Sequence, residues 1–301
     1  MRKRFNWDET RRYWESHGVA RARVDPESDP DALDNVLHPG EPLWLNQYYA
    51  RFQSAVFRRL LAQVPAPQLG ERALDVGCGA GRWCRLLAER GYAVTGIDLQ
   101  KELVIANRAR MPAMRFEHTS LQEFAGAATA EAAFSLVVSV TVIQHNPFEE
   151  QERMVRAIAS ALREGGHALM LENLLGQSPH VFSRSAQAWQ TLFLGAGLRC
   201  LAVRRYDYSP FSRTEAALAH RLRWLAGRSD RPEDQASAEP ESYMARGVRR
   251  DSAGGRLRAV RCGIRRGLVA LDDLAERCFI SLNPPIGAVH AGFLFRKPTV
   301  S

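Results

Sequence analysis

The stretch Leu74-Asp75-Val76-Gly77-Cys78-Gly79-Ala80-Gly81-Arg82-Trp83 decides the fold: an apolar run gives way to glycines at alternate positions, and an amphipathic segment follows. A strand ending in a glycine-rich turn that opens a helix lets backbone approach a ligand where side chains would block it. The same pattern also describes a bare strand-to-helix turn, so the glycines alone do not establish a ligand. The next strand supplies a second element. Val94-Thr95-Gly96-Ile97-Asp98-Leu99 closes on an acid, where a carboxylate at a strand's C-terminal end accepts hydrogen bonds from two ribose hydroxyls.

Outward from this pair, apolar runs alternate with helical periodicity from Glu71 to Arg205, the pattern of a doubly wound α/β sheet. The runs predict strands at Ala73–Val76, Ala93–Ile97, Met114–His118, Phe134–Val140, His167–Glu172 and Arg199–Tyr206, with a last one at Ala291–Arg296. Helices are expected at Arg82–Arg90, Lys101–Arg110, Glu149–Arg163 and Ala186–Leu194, with Gly91, Gly165–Gly166 and Gly197 at helix ends. Trp44 to Leu61 carries aromatic and apolar residues at helical spacing and is expected to pack over the sheet's edge. Arg228 to Gly255, rich in charge, Pro, Ser and Gly, lies between Arg-rich amphipathic segments. The division is therefore a helical lid segment (1–69), an α/β core (70–207), a helical and partly flexible cap (208–288), and a final core strand with its tail (289–301). No internal repeat or heptad array points to an oligomeric state.

The two quoted segments resemble the first two motifs of class I S-adenosylmethionine-dependent methyltransferases, an acid two residues ahead of G-x-G-x-G and then an acid closing the second strand. A nicotinamide dehydrogenase fits less well, because Arg82 stands where the dinucleotide fingerprint wants Gly or Ala. The similarity runs on through Ser120-Leu121-Gln122-Glu123-Phe124, through the fourth strand to Gln144-His145, and through Arg163-Glu164-Gly165-Gly166-His167 before the fifth strand. It implies a Rossmann-like seven-stranded sheet of order 3-2-1-4-5-7-6 with the last strand antiparallel. It also implies S-adenosylmethionine as cofactor. Transferred residue by residue, Asp75 and the loop of Gly77, Cys78, Gly79 and Gly81 face the methionine part, and Asp98 the ribose. Leu99 and Leu121 flank the adenine, and Ser139 or Val140 meets the carboxypropyl end through backbone. Ser120 stands where many members have an aspartate that accepts from the adenine amino group.

A phenol, an alcohol or a protonated amine must lose a proton before methylation, whereas a carboxylate need not. His145, at the end of the fourth strand, and His180, in the loop after the fifth, are the candidate bases; each also reads as a local structural histidine. Glu172, Tyr206, Asp207 and Tyr208 sit near strand ends and read equally as buried hydrogen-bonded groups. Trp44, Tyr48, Tyr49 and Trp83 form either an aromatic lid or core. Asn283-Pro284-Pro285-Ile286 is similar to the N-P-P-aromatic motif of DNA amino methyltransferases but falls before the last strand and ends in Ile, so a nucleic-acid base is not the expected acceptor.

The 301 residues, 46% of them hydrophobic, suffice for one main domain with an elaboration. The net charge of +8 comes almost wholly from arginine, so it reads as composition before it reads as an anionic partner. Cys78, Cys84, Cys200, Cys262 and Cys278 show neither zinc spacing nor a disulfide framework; no metal is expected, and the thiols read as reduced in the cytosol. No stretch has the length and apolarity of a signal peptide or a membrane span. The expectation is an enzyme that methylates a small-molecule acceptor on oxygen in the cytoplasm. Two alternatives stand beside it: a lipid-linked or glycan acceptor at an anionic membrane surface, and a catalytically silent cofactor-binding protein.

Overall fold

A computed structural model describes residues 43–127, 134–175, 177–178, 181–211 and 255–299. Most of the expected lid (1–42) and the middle of the expected cap (212–254) lie outside the described residues.

The chain opens with α1 (Leu43–Leu61) and then alternates through β1 (Arg72–Val76), α2 (Arg82–Glu89), β2 (Ala93–Asp98), α3 (Lys101–Arg110), β3 (Arg115–His118), α4 (Leu121–Ala127) and β4 (Phe134–Val140). A 3-10 turn (Ile143–His145) leads to α5 (Phe148–Ala161) and β5 (Leu162–Asn173). A short ribbon of β6 (Gln177–Ser178) and β7 (Val181–Phe182) precedes α6 (Ala186–Gly195) and β8 (Arg199–Tyr206); α7 (Gly255–Leu282) and β9 (His290–Arg296) close the chain.

The main sheet has seven strands in the order β3-β2-β1-β4-β5-β9-β8. With the ribbon set aside this is 3-2-1-4-5-7-6, the expected Rossmann-like order. The first five strands pair in parallel, and β9 runs antiparallel between β5 and β8. Every residue of β4 is buried, as expected of a central parallel strand covered on both faces. One face packs under Phe57 and Leu60 of α1, Trp83 and Leu87 of α2 and Val104 of α3. The other packs under Phe124, Met154, Val155, Ile158, Trp189 and Phe193 from α4, α5 and α6. The carboxyl ends of the parallel strands share an edge with the end of β8 and the start of β9.

Two expectations change, and two features were unforeseen. Trp44–Leu61 is one helix, and it lies on the sheet's face rather than over its edge. Gly292 of β9 makes room for it, since a Cβ there would stand 2.7 Å from Leu60 Cδ1 and 2.8 Å from Val56 Cγ1. The helix expected over Glu149–Arg163 ends at Ala161, and Gly165–Gly166, expected at its end, belongs to β5. Residues 163–166 bulge between the pairs Phe134↔Leu162 and Leu136↔His167. Lys297 holds the bulge: Gly165 N–H donates to its carbonyl at 3.0 Å, and its N–H donates to Gly166 O at 2.8 Å. The β6–β7 ribbon was not anticipated. Finally, Asn283, in the left-handed region at φ 52°, is a structural tie: its Oδ1 accepts from Arg205 N–H at 2.8 Å and its Nδ2 donates to Val203 O at 2.9 Å.

Filling the gap between β9 and α1 tests this packing. Gly292→Val is expected to lower unfolding free energy by about 1–3 kcal/mol through overpacking, read as a lower urea midpoint at unchanged slope.

Candidate active site

The glycine loop is built by backbone before any side chain contributes. Gly77 N–H and Cys78 N–H both donate to Ile97 O, at 2.8 and 3.0 Å, so the turn after β1 is anchored to the last residues of β2. Gly77 and Gly81 lie at φ 68° and 81°, a region costly for side-chain-bearing residues. A Cβ at Gly77 would also strike Val142 just past β4, which places the ends of β1 and β4 in contact. At Gly79 nothing lies within 4 Å of where a Cβ would stand, so the loop presents bare backbone to open space.

Asp98 fixes that loop. Its Oδ2 accepts from Gly79 N–H at 2.7 Å and its Oδ1 from Gln100 N–H at 2.8 Å. The carboxylate is 7% exposed. Asn107 Nδ2 reaches across from α3 to donate to Gly79 O at 2.8 Å. Arg82, at the head of α2, latches α1 onto the loop by donating to Ala50 O at 2.8 Å, Gln53 Oε1 at 3.1 Å and Ser54 Oγ. Trp83 stacks on Phe57 with ring centroids 4.1 Å apart, so both are core; Tyr48 is buried as well, and the side chain of Trp44 lies outside the described residues.

Two buried polar atoms beside the loop have no hydrogen-bond partner among the described residues: Asp75 Oδ1 and Ser139 Oγ. Asp75 is 1% exposed, and its Oδ2 accepts from Cys84 Sγ–H at 3.2 Å. Burial raises its carboxyl to about 7, the thiol hydrogen bond offsetting part of the rise and the Asp98 charge adding to it. Beyond Val140 the chain bends sharply at Thr141, whose φ of 57° is rare for a β-branched residue. Its N–H donates to Leu171 O at 2.7 Å, which holds the bend against β5. Backbone outliers of this kind concentrate at functional sites.

The adenine side is less deeply set. Leu99 is 41% exposed, whereas Leu121 is buried. Ser120 completes a capping box for α4: Glu123 N–H donates to its Oγ at 3.1 Å, and its own N–H and hydroxyl donate to Glu123 Oε2 at 3.1 and 2.9 Å.

After β4, His145 ends the 3-10 turn and is half-buried, its Nε2 3.4 Å from Gln144 Nε2. Glu172 is fully buried and receives Ile143 N–H at 3.2 Å and Gln144 N–H at 3.0 Å. Burial lifts its carboxyl to about 8 against those backbone donors. Gln144 Oε1 in turn accepts from Asn173 N–H at 2.6 Å, so the turn bearing His145 is clamped to the end of β5. His180 lies outside the described residues. The structure thus brings Asp75, the glycine loop, Asp98, Ser139 and Val140 to the carboxyl ends of the adjacent strands β1, β2 and β4, and His145 to the turn that follows β4. Sequence reasoning did not find Asn107, Arg82, Thr141 or Gln144 in these roles. Nothing local marks them, because each acts through a partner remote in sequence.

A glycine loop beside a ribose-type acid at the carboxyl edge of such a sheet defines a binder of a nucleoside-bearing cofactor. A family model described as "Methyltransferase domain" matches residues 73–166. The ubiquinone biosynthesis O-methyltransferase of Ralstonia nicotianae is 30% identical over 189 residues, covering 62% of this chain and 69% of that protein. The trans-aconitate 2-methyltransferase of Rhizobium etli is 30% identical over 165 residues, 52% of this chain and 62% of that protein. A solved methyltransferase structure from Galdieria sulphuraria, 14% identical, shares the fold with a TM-score of 0.52 over 97% of this chain and 99% of its own. The chain belongs to the class I S-adenosylmethionine-dependent methyltransferases, and S-adenosylmethionine is its cofactor.

Two measurements probe the crevice. Asp98→Ala is expected to weaken S-adenosylhomocysteine binding by about 100-fold or more, the loss of two hydrogen bonds to a charged acceptor; calorimetry on a variant with wild-type circular dichroism reads it. Asp75 has a folded pKa raised above the ordinary carboxylate range, so its contribution to stability is full below that range and is lost as pH rises through about 7. Asp75→Asn, neutral throughout, is expected to flatten this loss and to gain on the order of 1 kcal/mol over wild type at pH 8, measured by urea denaturation at pH 4, 6 and 8.

Proposed function

We propose that the protein transfers the methyl group of S-adenosylmethionine to an oxygen of a small-molecule acceptor seated between the cofactor crevice and the helices α1 and α7. The observation that carries the reading is the way these two helices close over the acceptor side. Arg82 latches α1 to the cofactor loop, and Arg51 of α1 pairs with Asp273 of α7. Arg59 donates to Ile280 O at 3.2 Å and to Ser281 Oγ at 3.3 Å. Two helices tied to each other and to the cofactor loop suit a small acceptor better than a nucleic-acid strand. The relatives named above, one an O-methyltransferase of ubiquinone biosynthesis and one acting on trans-aconitate, support the same class.

S-adenosylmethionine fits the residues present. The orphaned Asp75 Oδ1 and Ser139 Oγ answer the polar methionine end, the bare backbone of Gly77, Cys78, Gly79 and Gly81 allows close approach, and Val140 contributes backbone. Asp98 takes the ribose hydroxyls. Leu99 and Leu121 flank the adenine beside Ser120, whose hydroxyl is shared with the α4 cap. When bound, the sulfonium supplies a methyl that is already electrophilic. The chain's part is to align the acceptor oxygen, exclude water and take up a proton. His145 is the candidate base on this side, and the unpaired thiols of Cys78, Cys84, Cys200 and Cys278 fit a reducing cytosol.

A second reading places the acceptor at an anionic membrane surface. One observation favours it: Ile264, Leu271, Leu274 and Leu282 are exposed along α7, which also carries exposed Arg266 and Arg277. No helix among the described residues is long and apolar enough to cross a membrane.

Methyl transfer from isotopically labelled S-adenosylmethionine to catechol, to trans-aconitate and to mixed tRNA separates these readings. Turnover of catechol is expected, and turnover of tRNA alone would sink the small-molecule assignment. Salt-sensitive sedimentation with phosphatidylglycerol vesicles would favour the membrane reading.

A further inference from the structure

The carboxyl edge holds a second histidine outside the assignments above. His290 opens β9 and is flanked in register by Asn173 at the end of β5 and Tyr206 at the end of β8. Its Nδ1 lies 3.0 Å from Asp207 Oδ2, and its ring stacks on Tyr206 with centroids 5.3 Å apart. A carboxylate at Nδ1 selects the tautomer with hydrogen on that nitrogen and leaves the lone pair on Nε2. Nε2 makes no hydrogen bond among the described residues, and the side chain is 16% exposed.

Asp207 is held with unusual care. Its Oδ1 accepts from Ser209 Oγ–H at 2.8 Å, and Ser209 Oγ lies 3.2 Å from the hydroxyl of Tyr48 on α1. Asp207 and Ser209 both occupy the left-handed region, at φ 61° and 38°, a strained conformation for either residue. The turn is over-determined by α7. Glu276 accepts the N–H groups of Asp207 and Tyr208, and Asp272 Oδ1 accepts Phe211 N–H at 2.8 Å. A surface turn needs no such bracing by two fully buried carboxylates. An aspartate that must keep an imidazole in one orientation does.

The position suits the reaction. β9 is two strands from β4, about 10 Å at the usual spacing. The Gln144–Asn173 hydrogen bond ties the turn after β4 to the strand that pairs with His290. Gly292, two residues on and on the same face as His290, lies under Val56 and Leu60, so the imidazole stands on the α1 side of the sheet. This is the side on which α1 and α7 meet.

We propose that His290, oriented by Asp207, is the general base that takes the proton of an acceptor hydroxyl, and that the acceptor is therefore a hydroxyl compound such as a phenol rather than a carboxylate. This rests on the oxygen-acceptor reading above. The hydroxyl proton passes to Nε2, and the oxygen's electron pair forms the bond to the transferred methyl. The electron pair of the broken carbon–sulfur bond stays on sulfur. The products are a methyl ether, a neutral thioether and an imidazolium that returns its proton to water. Asp207 touches none of the reacting atoms; it is a positioning residue.

Catechol and 4-nitrocatechol, the latter already ionised near pH 8, test the assignment. His290→Asn is expected to lower turnover of catechol by about 100-fold or more and of 4-nitrocatechol by less than about 5-fold. Asp207→Asn should follow the same pattern at about 10-fold or more. Long-range ¹⁵N–¹H spectra of the S-adenosylhomocysteine complex give a readout independent of turnover: His290 is expected to carry its hydrogen on Nδ1 facing Asp207, and Asp207→Asn should abolish that preference. Equal losses on both catechols, a His290 carrying its hydrogen on Nε2, or acceptor-acidity dependence at His145 instead of His290 would overturn the assignment alone. A wild type that binds S-adenosylhomocysteine, shows the expected tautomer and turns over neither catechol would overturn the phenol reading and the base role together.

Discussion

The Asp98 carboxylate is the tie on which the cofactor crevice depends. It terminates β2, receives the N–H of Gly79 from the loop after β1 and receives the N–H of Gln100 at the head of α3. The loop after β1 and the head of α3 are thus fixed relative to one carboxylate at the end of β2. The parallel register of β1 with β2 and β4 then carries that fixed point to Ser139, the partner of Val76. Because the carboxylate is held by backbone donors, its remaining lone pairs point where the protein leaves them. Preorganisation of this kind means that a ligand's hydroxyls meet an oriented acceptor and do not themselves have to order it.

Buried acids organise the other turns of the same edge. Glu172 gathers the N–H groups that open the 3-10 turn after β4, and Glu276 gathers those of the turn after β8. Burial raises both carboxyls, Glu172 to about 8 and Glu276 to about 7, in opposition to the backbone donors they accept from. A carboxylate in such a place costs desolvation, offset only by several well-placed donors. What results is a turn that cannot relax without stripping a buried carboxyl group of its hydrogen-bond partners. Thr141 and Asp207, each strained at positive φ, sit at the two turns so braced.

The glycine loop and the acid proposed to meet the cofactor were legible in the sequence as strand ends, and the reason is locality. Gly77 to Gly81 and Asp98 each close a strand, and the apolar run, the glycines and the acid are readable within about 25 consecutive residues. The sheet order followed from alternation and resemblance. The misread boundaries fell where tertiary pairing overrode local pattern. Gly165–Gly166 look like a helix end, yet Lys297, far along the chain, draws them into β5. Asn283-Pro284-Pro285 looks like chemistry, yet Asn283 merely ties α7 to β8.

The acceptor half is built the opposite way, and that is why its key histidine went unread. His290 faces Asp207 across 83 positions of sequence, and Tyr48 reaches Ser209 across 161. No spacing rule connects such residues; they meet only because β9 inserts antiparallel between β5 and β8 and brings its first residue to the carboxyl edge. That insertion has a chemical consequence. In a purely parallel sheet every strand presents its C-terminal end to the ligand, and the side chains there come from the turns that follow. An antiparallel strand brings an N-terminal end to the same edge, so a segment arriving from a distant excursion of the chain, here the one containing α7, can place a side chain against the acceptor without disturbing the loops that hold the cofactor. The fold thereby separates the two tasks physically. On this reading the cofactor meets short-range turns, and the acceptor meets residues delivered by long-range segments of the chain.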